Sequence, residues 1–121
     1  MIGKLGLIMV VVKDMGRSVA FYRDVLGLKL EFESPFWSQL SAGNIEIGLH
    51  PESPRVKVAP DTGVSIGFHV ADVQQTAAAL KAKGVRFLQE PKKEEFGWLA
   101  IAADPDGYAI QIGQMPKGQH D

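Results

Sequence analysis

Apolar residues along this chain follow two spacings, in an order that occurs twice. Residues 5–12 are apolar at nearly every position, which is typical of a strand covered by a helix on one face and facing an enclosed space on the other. A helix follows, because Asp14 is suited to cap its first turn and Gly27 to end its last. The apolar stripe of this helix consists of Met15, Val19, Tyr22 and Leu26.

The same pattern begins again in the second half of the chain. An apolar strand that includes Phe68 precedes Asp72, and Gln75 stands three residues further on, as in a capping box. Gly84 ends this second helix. A repeat of this length predicts that both copies contribute to the core and to the binding surface. The second apolar stripe consists of Val73, Ala77 and Leu80.

Three short strand patterns follow each helix, separated by turn sequences. Residues 41–44 and 104–107 are predicted turns, because Gly and Asn tolerate positive φ and Pro presets φ. The polar segment 90–96 is expected to form a loop between two strands. The predicted strands lie at about 28–34, 36–41, 45–50, 85–89, 97–102 and 107–113.

These elements predict an α+β fold of two βαβββ units, whose curved mixed sheets surround a central cleft and whose helices lie on the outer faces. We expect one domain over residues 1–121, made of units 1–50 and 63–113. A proline-containing linker at 51–62 joins the units. Residues 115–121 are expected to form a loose tail.

The bulk composition excludes several classes of function. With 121 residues, 45% hydrophobic and 22% charged, the chain suits one compact domain. A net charge of −1 without a basic run gives no attraction for nucleic acid or an anionic membrane. The absence of cysteine excludes disulfides, thiolate metal sites and a cysteine nucleophile. We therefore expect a cytoplasmic protein with neither nucleic acid nor membrane as a partner.

Five stretches of sequence occur in a specific order. They are VVKDM at 11–15, SVAFY at 18–22 with LG at 26–27, FHVADV at 68–73, LKAKGV at 80–85 and DPDGY at 104–108. In this order they resemble the vicinal oxygen chelate superfamily, which includes glyoxalase I, extradiol dioxygenases, fosfomycin resistance proteins and bleomycin-binding resistance proteins. The resemblance implies a single glyoxalase-like domain and a homodimer.

The resemblance also implies four positions for a metal ion. In metal-dependent members each unit supplies a His or Gln from its first strand and a Glu or His from its last. Here those positions are Leu7 and Gly48 in the first unit, and Ser65 and Gln111 in the second. Leu and Gly offer no side-chain ligand, neutral Ser is a weak one, and an amide poorly replaces a carboxylate at a hard cation. We therefore expect no metal ion in this position and no cofactor.

Strand alternation predicts which side chains face the cleft. Trp37 and Trp98 have small or polar neighbours on the same face, as expected where an indole borders an open space. We name no catalytic residue, because the sequence pairs no nucleophile or oxyanion donor with a histidine. The predicted ligand-binding residues are Trp37, Gln39, Glu46, His50, Ser65, His69, Trp98 and Gln111.

The leading hypothesis is a metal-free protein that binds a small organic, aromatic ligand in the cleft between the units, in the way that bleomycin resistance proteins sequester a drug. A binding protein is thus favoured over an enzyme. The alternative is a lyase, isomerase or dioxygenase of the glyoxalase kind, with a divalent metal on displaced ligands such as Glu46, His50 and His69. A third hypothesis is an accessory module whose cleft binds a partner chain.

Overall fold

The computed structural model describes residues 2–114, and the chain divides into two compact units between Ala59 and Pro60. This boundary falls inside the predicted linker. Each unit contains a helix and a four-stranded mixed sheet, so the predicted α+β fold of two βαβββ units is confirmed. The predicted tail at 115–121 lies outside the described residues.

The first unit has the strand order β1-β4-β3-β2, with β1 parallel to β4 and the other pairs antiparallel. Because β1 and β4 are parallel, the chain between them carries the helix and two antiparallel strands. The elements are β1 (Leu7–Val12), α1 (Met15–Ala20), a π-helical segment (Phe21–Val25), β2 (Lys29–Phe32), β3 (Ser38–Ser41) and β4 (Glu46–Pro51).

The second unit repeats this topology with the strand order β5-β8-β7-β6, and β5 is parallel to β8. The internal repeat inferred from the sequence is therefore a repeat of structure. The elements are β5 (Ile66–His69), α2 (Val73–Ala82), β6 (Phe87–Glu94), β7 (Gly97–Ala103) and β8 (Ala109–Gln114).

Equivalent residues begin and end the two helices. The carboxylate of Asp14 accepts a hydrogen bond from the backbone N–H of Arg17, and that of Asp72 accepts one from Gln75, each at 3.0 Å. These bonds satisfy donors that have no partner within the first helical turn. Gly27 and Gly84 then adopt φ values of +82° and +86°, a left-handed conformation that ends a helix and favours glycine.

The first helix departs from the predicted single α-helix in its second half. The N–H of Leu26 donates to the carbonyl of Phe21, five residues earlier, at 3.0 Å. The wider π turn lets two consecutive aromatic side chains, Phe21 and Tyr22, both become buried. Their rings meet edge to face with centroids 5.2 Å apart, so Phe21 joins the predicted stripe in the core.

Each unit buries one face of its sheet against its helix. In the first unit, α1 contacts β4, whose Ile47 and Leu49 are buried together with Val19 of the helix. In the second unit, α2 contacts β6, β7 and β8; alanines occupy the buried positions of β7, and Ile110 and Ile112 those of β8. The small alanine side chains permit a close approach of helix and sheet. The buried alanines of this unit are Ala77, Ala100, Ala102 and Ala103.

The prediction of a loop at 90–96 is wrong, because β6 continues to Glu94 and pairs it with Gly97 of β7. Charged side chains are compatible with this strand since β6 is the edge of its sheet and is open to water. Pro91 stands where the register shifts between Gln89 and Lys92, as expected for a residue without an N–H donor.

The helices of residues 2–114 are all too short or too polar to cross a membrane. The longest α-helical segment among them is α2, which has ten residues. A membrane-spanning helix needs about 20 consecutive apolar residues.

Two buried serines in the first unit differ in their hydrogen bonding. Ser18 of α1 and Ser38 of β3 are both fully buried. The hydroxyl of Ser38 donates to the carbonyl of Ser34 at 3.3 Å, whereas the hydroxyl of Ser18 has no partner among the described residues. A buried hydroxyl without a partner costs about 1–3 kcal/mol in desolvation.

We predict that Ser18→Ala leaves the free energy of unfolding unchanged or raises it by up to about 1 kcal/mol, because it removes an unsatisfied hydroxyl from a helix. Ser38→Ala is the matched control and is expected to lower that free energy by about 1 kcal/mol. Urea denaturation of both variants measures the difference. A greater loss of stability in Ser18→Ala than in Ser38→Ala would show that the Ser18 hydroxyl contributes a stabilising hydrogen bond, and would contradict this prediction.

Candidate functional site

The pairing of β3 with β4 defines an open face on the first sheet. Gln39 lies opposite Gly48, and Ser41 lies opposite Glu46. Ile47 and Leu49 point to the helix, so the alternating residues of β4, which include Glu46 and Gly48, point the other way. We call this surface the open face of the first sheet. It carries Leu7, Met9, Trp37, Gln39, Ser41, Glu46, Gly48 and His50.

The indole of Trp37 occupies the space above Gly48. A Cβ atom built on Gly48 would lie 2.2 Å from Cη2 and 2.3 Å from Cζ2 of the indole, closer than any real side chain allows. Gly48 is buried and Trp37 is partly buried. Glycine at position 48 is therefore a packing requirement, since only its missing side chain leaves room for the ring.

Two hydrogen bonds fix the direction of the Trp37 ring. The indole Nε1–H donates to Oε1 of Gln39 at 3.0 Å. The amide Nε2–H of Gln39 in turn donates to Oε1 of Glu46 at 3.2 Å. The chain of donors thus ends on a carboxylate, which makes its last bond charge-assisted. Tryptophan, glutamine and glutamate behave as one connected polar group on this face.

His50 lies beside this group at the end of β4. Its ring centroid is 6.4 Å from that of Trp37, and the two ring planes meet at 75°. Nδ1 of His50 is 2.6 Å from the carbonyl oxygen of Pro51. Because a carbonyl only accepts, Nδ1 must carry the proton, and Nε2 of the neutral ring is then an acceptor.

Ser34 positions Trp37 and was missed in the sequence analysis. Its hydroxyl accepts from the backbone N–H of Trp37 at 3.1 Å and donates to the Trp37 carbonyl at 3.0 Å. It also accepts from the N–H of Phe36 at 3.2 Å. The signal was present as a serine followed by proline, a frequent beginning of a tight turn.

The second sheet also has an open face, which contains a small cavity. Gly67 pairs with Gln111, and His69 and Leu99 both pair with Gly113, so these residues share one face. The cavity has a volume of about 240 Å³. It is lined by Gly67, Phe68, His69, Phe96, Leu99, Gln111 and Gly113.

Ser65 and Gln111 are joined on this open face. The amide Nε2–H of Gln111 donates to the hydroxyl of Ser65 at 2.9 Å. The bond holds the glutamine side chain beside the cavity that it lines. His69 lies at the end of β5 and is exposed. The polar residues available to a ligand here are therefore His69, Gln111 and, through Gln111, Ser65.

Trp98 lies on the other face of the second sheet. It pairs with Gln114, whose side-chain oxygen accepts from the N–H of Val73 in α2 at 2.8 Å. The shared face is thus the one that α2 covers, and Trp98 points away from Gln111. Phe96 and Leu99 line the cavity instead, and neither was predicted. Trp98 is therefore left out of the candidate site.

The residues at the family's four metal positions do not fit a divalent ion. In the first unit, Leu7 has no ligand atom in its side chain and the space at Gly48 is filled by Trp37. In the second, Ser65 and Gln111 are neutral and bonded to each other. Within residues 2–114 no three histidine, aspartate or glutamate side chains are grouped to hold a metal ion. The alternative metal site on displaced ligands therefore has no support there. The displaced set was Glu46, His50 and His69.

The repeated βαβββ topology and the two open faces define a protein of the glyoxalase-like class. Residues 4–112 match the model of the Glyoxalase/Bleomycin resistance protein/Dioxygenase superfamily, and the chain belongs to this superfamily. The resemblance found in the sequence is thereby confirmed.

Particular relatives fall into two groups. The chain is 27% identical to a probable lactoylglutathione lyase of Synechocystis sp., over 88% of its own length and 91% of that protein. It is 31% identical to the lactoylglutathione lyase of Haemophilus influenzae, over 84% of each. A solved structure similar in fold is TnmS3, an antibiotic binding protein from Streptomyces sp. CB03234, with a TM-score of 0.82. TnmS3 is 24% identical, and the match covers 95% of this chain and 98% of that one.

We predict that Gly48→Ala displaces the Trp37 indole, because the added methyl group requires the space of two ring atoms. The expected cost is about 1–3 kcal/mol of unfolding free energy, as for other overpacked sites. A red shift of Trp37 emission should accompany it, measured in a Trp98→Phe background so that one indole reports.

The matched control is Gly67→Ala on the other open face. A Cβ atom there would lie 3.7 Å from Cβ of Gln111, an ordinary contact, and φ of Gly67 is not positive. This variant is expected to change stability by less than about 0.5 kcal/mol. Equal effects of both substitutions, or an unchanged Trp37 emission in Gly48→Ala, would contradict the prediction.

Proposed function

We propose that this protein binds a small planar organic ligand on the open face of the first sheet, with Trp37 as the main contact and without a metal ion in the family's position. The observation that carries the proposal is the Trp37 ring held above Gly48 by Gln39. An aromatic side chain fixed in this way loses little conformational entropy when a ligand stacks against it.

The chemistry of the first open face suits such a ligand. Aromatic stacking contributes about 0.5–1.5 kcal/mol beyond the buried area. Gln39, Glu46 and His50 surround the ring and supply hydrogen-bonding groups that orient a ligand. An apolar surface with a few directed polar groups is the usual composition of a small-molecule site.

The second open face is proposed as a further contact surface for organic groups. Its cavity of about 240 Å³ is smaller than typical drug-sized sites of about 300–1,000 Å³, so it suits one ring or a short apolar chain. Phe96 and Leu99 supply apolar contacts. His69 and Gln111, with Ser65 behind Gln111, supply the polar ones.

The relatives support two different functions. The antibiotic binding protein TnmS3 resembles the chain in fold and favours ligand binding. The lactoylglutathione lyases resemble it in sequence and favour an enzyme. We prefer ligand binding because the four positions that would hold the metal ion in a metal-dependent relative carry Leu7, Gly48, Ser65 and Gln111.

Binding is tested by titrating the Trp98→Phe protein with a panel of planar aromatic antibiotics and metabolites. At least one compound is expected to change Trp37 emission and to release heat in calorimetry. Trp37→Ala should weaken its affinity by about tenfold or more, since buried tryptophans dominate binding sites. If no compound produces a signal, or if Trp37→Ala leaves the affinity unchanged, the proposal is wrong.

The lyase hypothesis is tested separately by elemental analysis and by a lactoylglutathione lyase assay with added Ni²⁺ or Zn²⁺. We expect no stoichiometric ion in protein purified without chelator and no activity above the uncatalysed rate. An ion that is present at one per chain and is lost in His69→Ala would favour the enzyme instead. The homodimer expected from the resemblance stays a prediction, which static light scattering measures.

A further inference from the structure

On the first open face, most N–H donors are bonded to protein acceptors, whereas some acceptor atoms are not hydrogen-bonded. The Nε1–H of Trp37 is bonded to Gln39, and one amide hydrogen of Gln39 is bonded to Glu46. The Nδ1–H of His50 is bonded to the carbonyl of Pro51. Each of these donors is therefore turned inward, to a protein acceptor.

The acceptors that remain belong to Glu46 and His50. Oε1 of Glu46 accepts from Gln39, and within the described part of the chain Oε2 has neither a hydrogen bond nor an ion pair. Because Nδ1 of His50 bears a proton, Nε2 is the ring atom that carries a lone pair whenever the ring is neutral. A partly buried carboxylate without a cation beside it offers a strong interaction to a donor that approaches this face.

The indole of Trp37 also favours a positively charged ligand. The face of a tryptophan ring carries negative quadrupolar potential and attracts cations within about 6 Å. A ligand anion would meet both this potential and the charge of Glu46, and the repulsion between like charges would weaken its binding. The two groups select together for a positive, donor-bearing ligand.

We propose that the ligand of this face is a planar aromatic amine or amidine that is positively charged at neutral pH, and that Glu46 is the residue that selects it. This inference rests on the proposed function. The cationic nitrogen lies against the Glu46 carboxylate while the ring contacts Trp37. Gln39 joins the two groups, so that the stacking surface and the charge keep a fixed separation.

A structural role of Glu46 must be separated from a selective one, because Glu46 also holds Gln39. Glu46→Gln separates them, since the new amide oxygen still accepts from Gln39 while the negative charge is lost. Glu31→Gln is the matched control. It removes one charge from an exposed residue whose nearest ion-pair partner, Lys29, is 3.9 Å away, an interaction of little energetic weight.

The experiment is calorimetric titration with three tricyclic probes of similar size: 9-aminoacridine as the cation, acridone as the neutral compound and acridine-9-carboxylate as the anion. The wild-type protein is expected to bind the cation at least about tenfold more tightly than the anion, a preference that decreases as salt is added. Glu46→Gln should weaken cation binding about five- to tenfold, strengthen anion binding, and leave the neutral probe within about twofold. Glu31→Gln should change none of the three.

Four outcomes would overturn the inference. If all three probes bind equally well to the wild-type protein, the site does not select charge, although the proposed function stands. If Glu46→Gln weakens the cation and the neutral probe alike and shifts Trp37 emission, Glu46 acts only as a support for the ring. If no probe binds while other planar compounds bind at Trp37, the ligand class is wrong. If nothing planar binds, the proposed function fails as well.

Discussion

The missing side chain of Gly48 is the constraint on which the first open face depends. Any Cβ atom at this position would overlap the Trp37 ring, so the ring can occupy its observed position only if residue 48 is glycine. The ring then determines where Gln39 and Glu46 lie, because their amide and carboxylate groups follow from its N–H. One absent methyl group in a central strand thus fixes the arrangement of a polar network on the surface above it.

The two units use the same topology to build different surfaces. Gly48 of β4 and Gln111 of β8 occupy equivalent places, since each pairs with the first strand of its unit on one side and with the preceding hairpin strand on the other. In the first unit Gly48 has no side chain at the central position, and the Trp37 ring occupies that space. In the second the central glutamine fills its own position, and a flanking glycine, Gly67, leaves a cavity beside it. A duplicated scaffold therefore does not imply a duplicated site.

Local signals made most of the fold predictable from the sequence, and long-range pairing limited the rest. The caps at Asp14 and Asp72 and the left-handed glycines act within one turn, so residue identity was sufficient to find them. Trp98 lies near the start of β7, and the face to which it points depends on the register between β7 and β8. A shift of one residue exchanges the two faces of a strand. Alternation alone could not supply that register. The length of β6 was underestimated for a related reason, because charged residues are compatible with a strand only if it lies at an edge.

The chain resembles lactoylglutathione lyases in sequence but lacks residues that suit the family's metal site, and the parts of the fold that carry the superfamily signature explain how both can hold. The stretches that identify the superfamily contain the helix caps, the terminating glycines and the Asp104 turn, whose carboxylate accepts two backbone N–H groups. The caps, the glycines and the turn maintain the scaffold, although one stretch also contains Phe68 and His69, which line the cavity of the second open face. The chemistry of a site depends on a few outward positions of the central strands, and substitutions there leave the core intact. Overall identity of 27% or 31% to a lyase therefore does not by itself specify a reaction. In the function proposed above, Trp37 over Gly48 and the carboxylate of Glu46 beside it select the ligand.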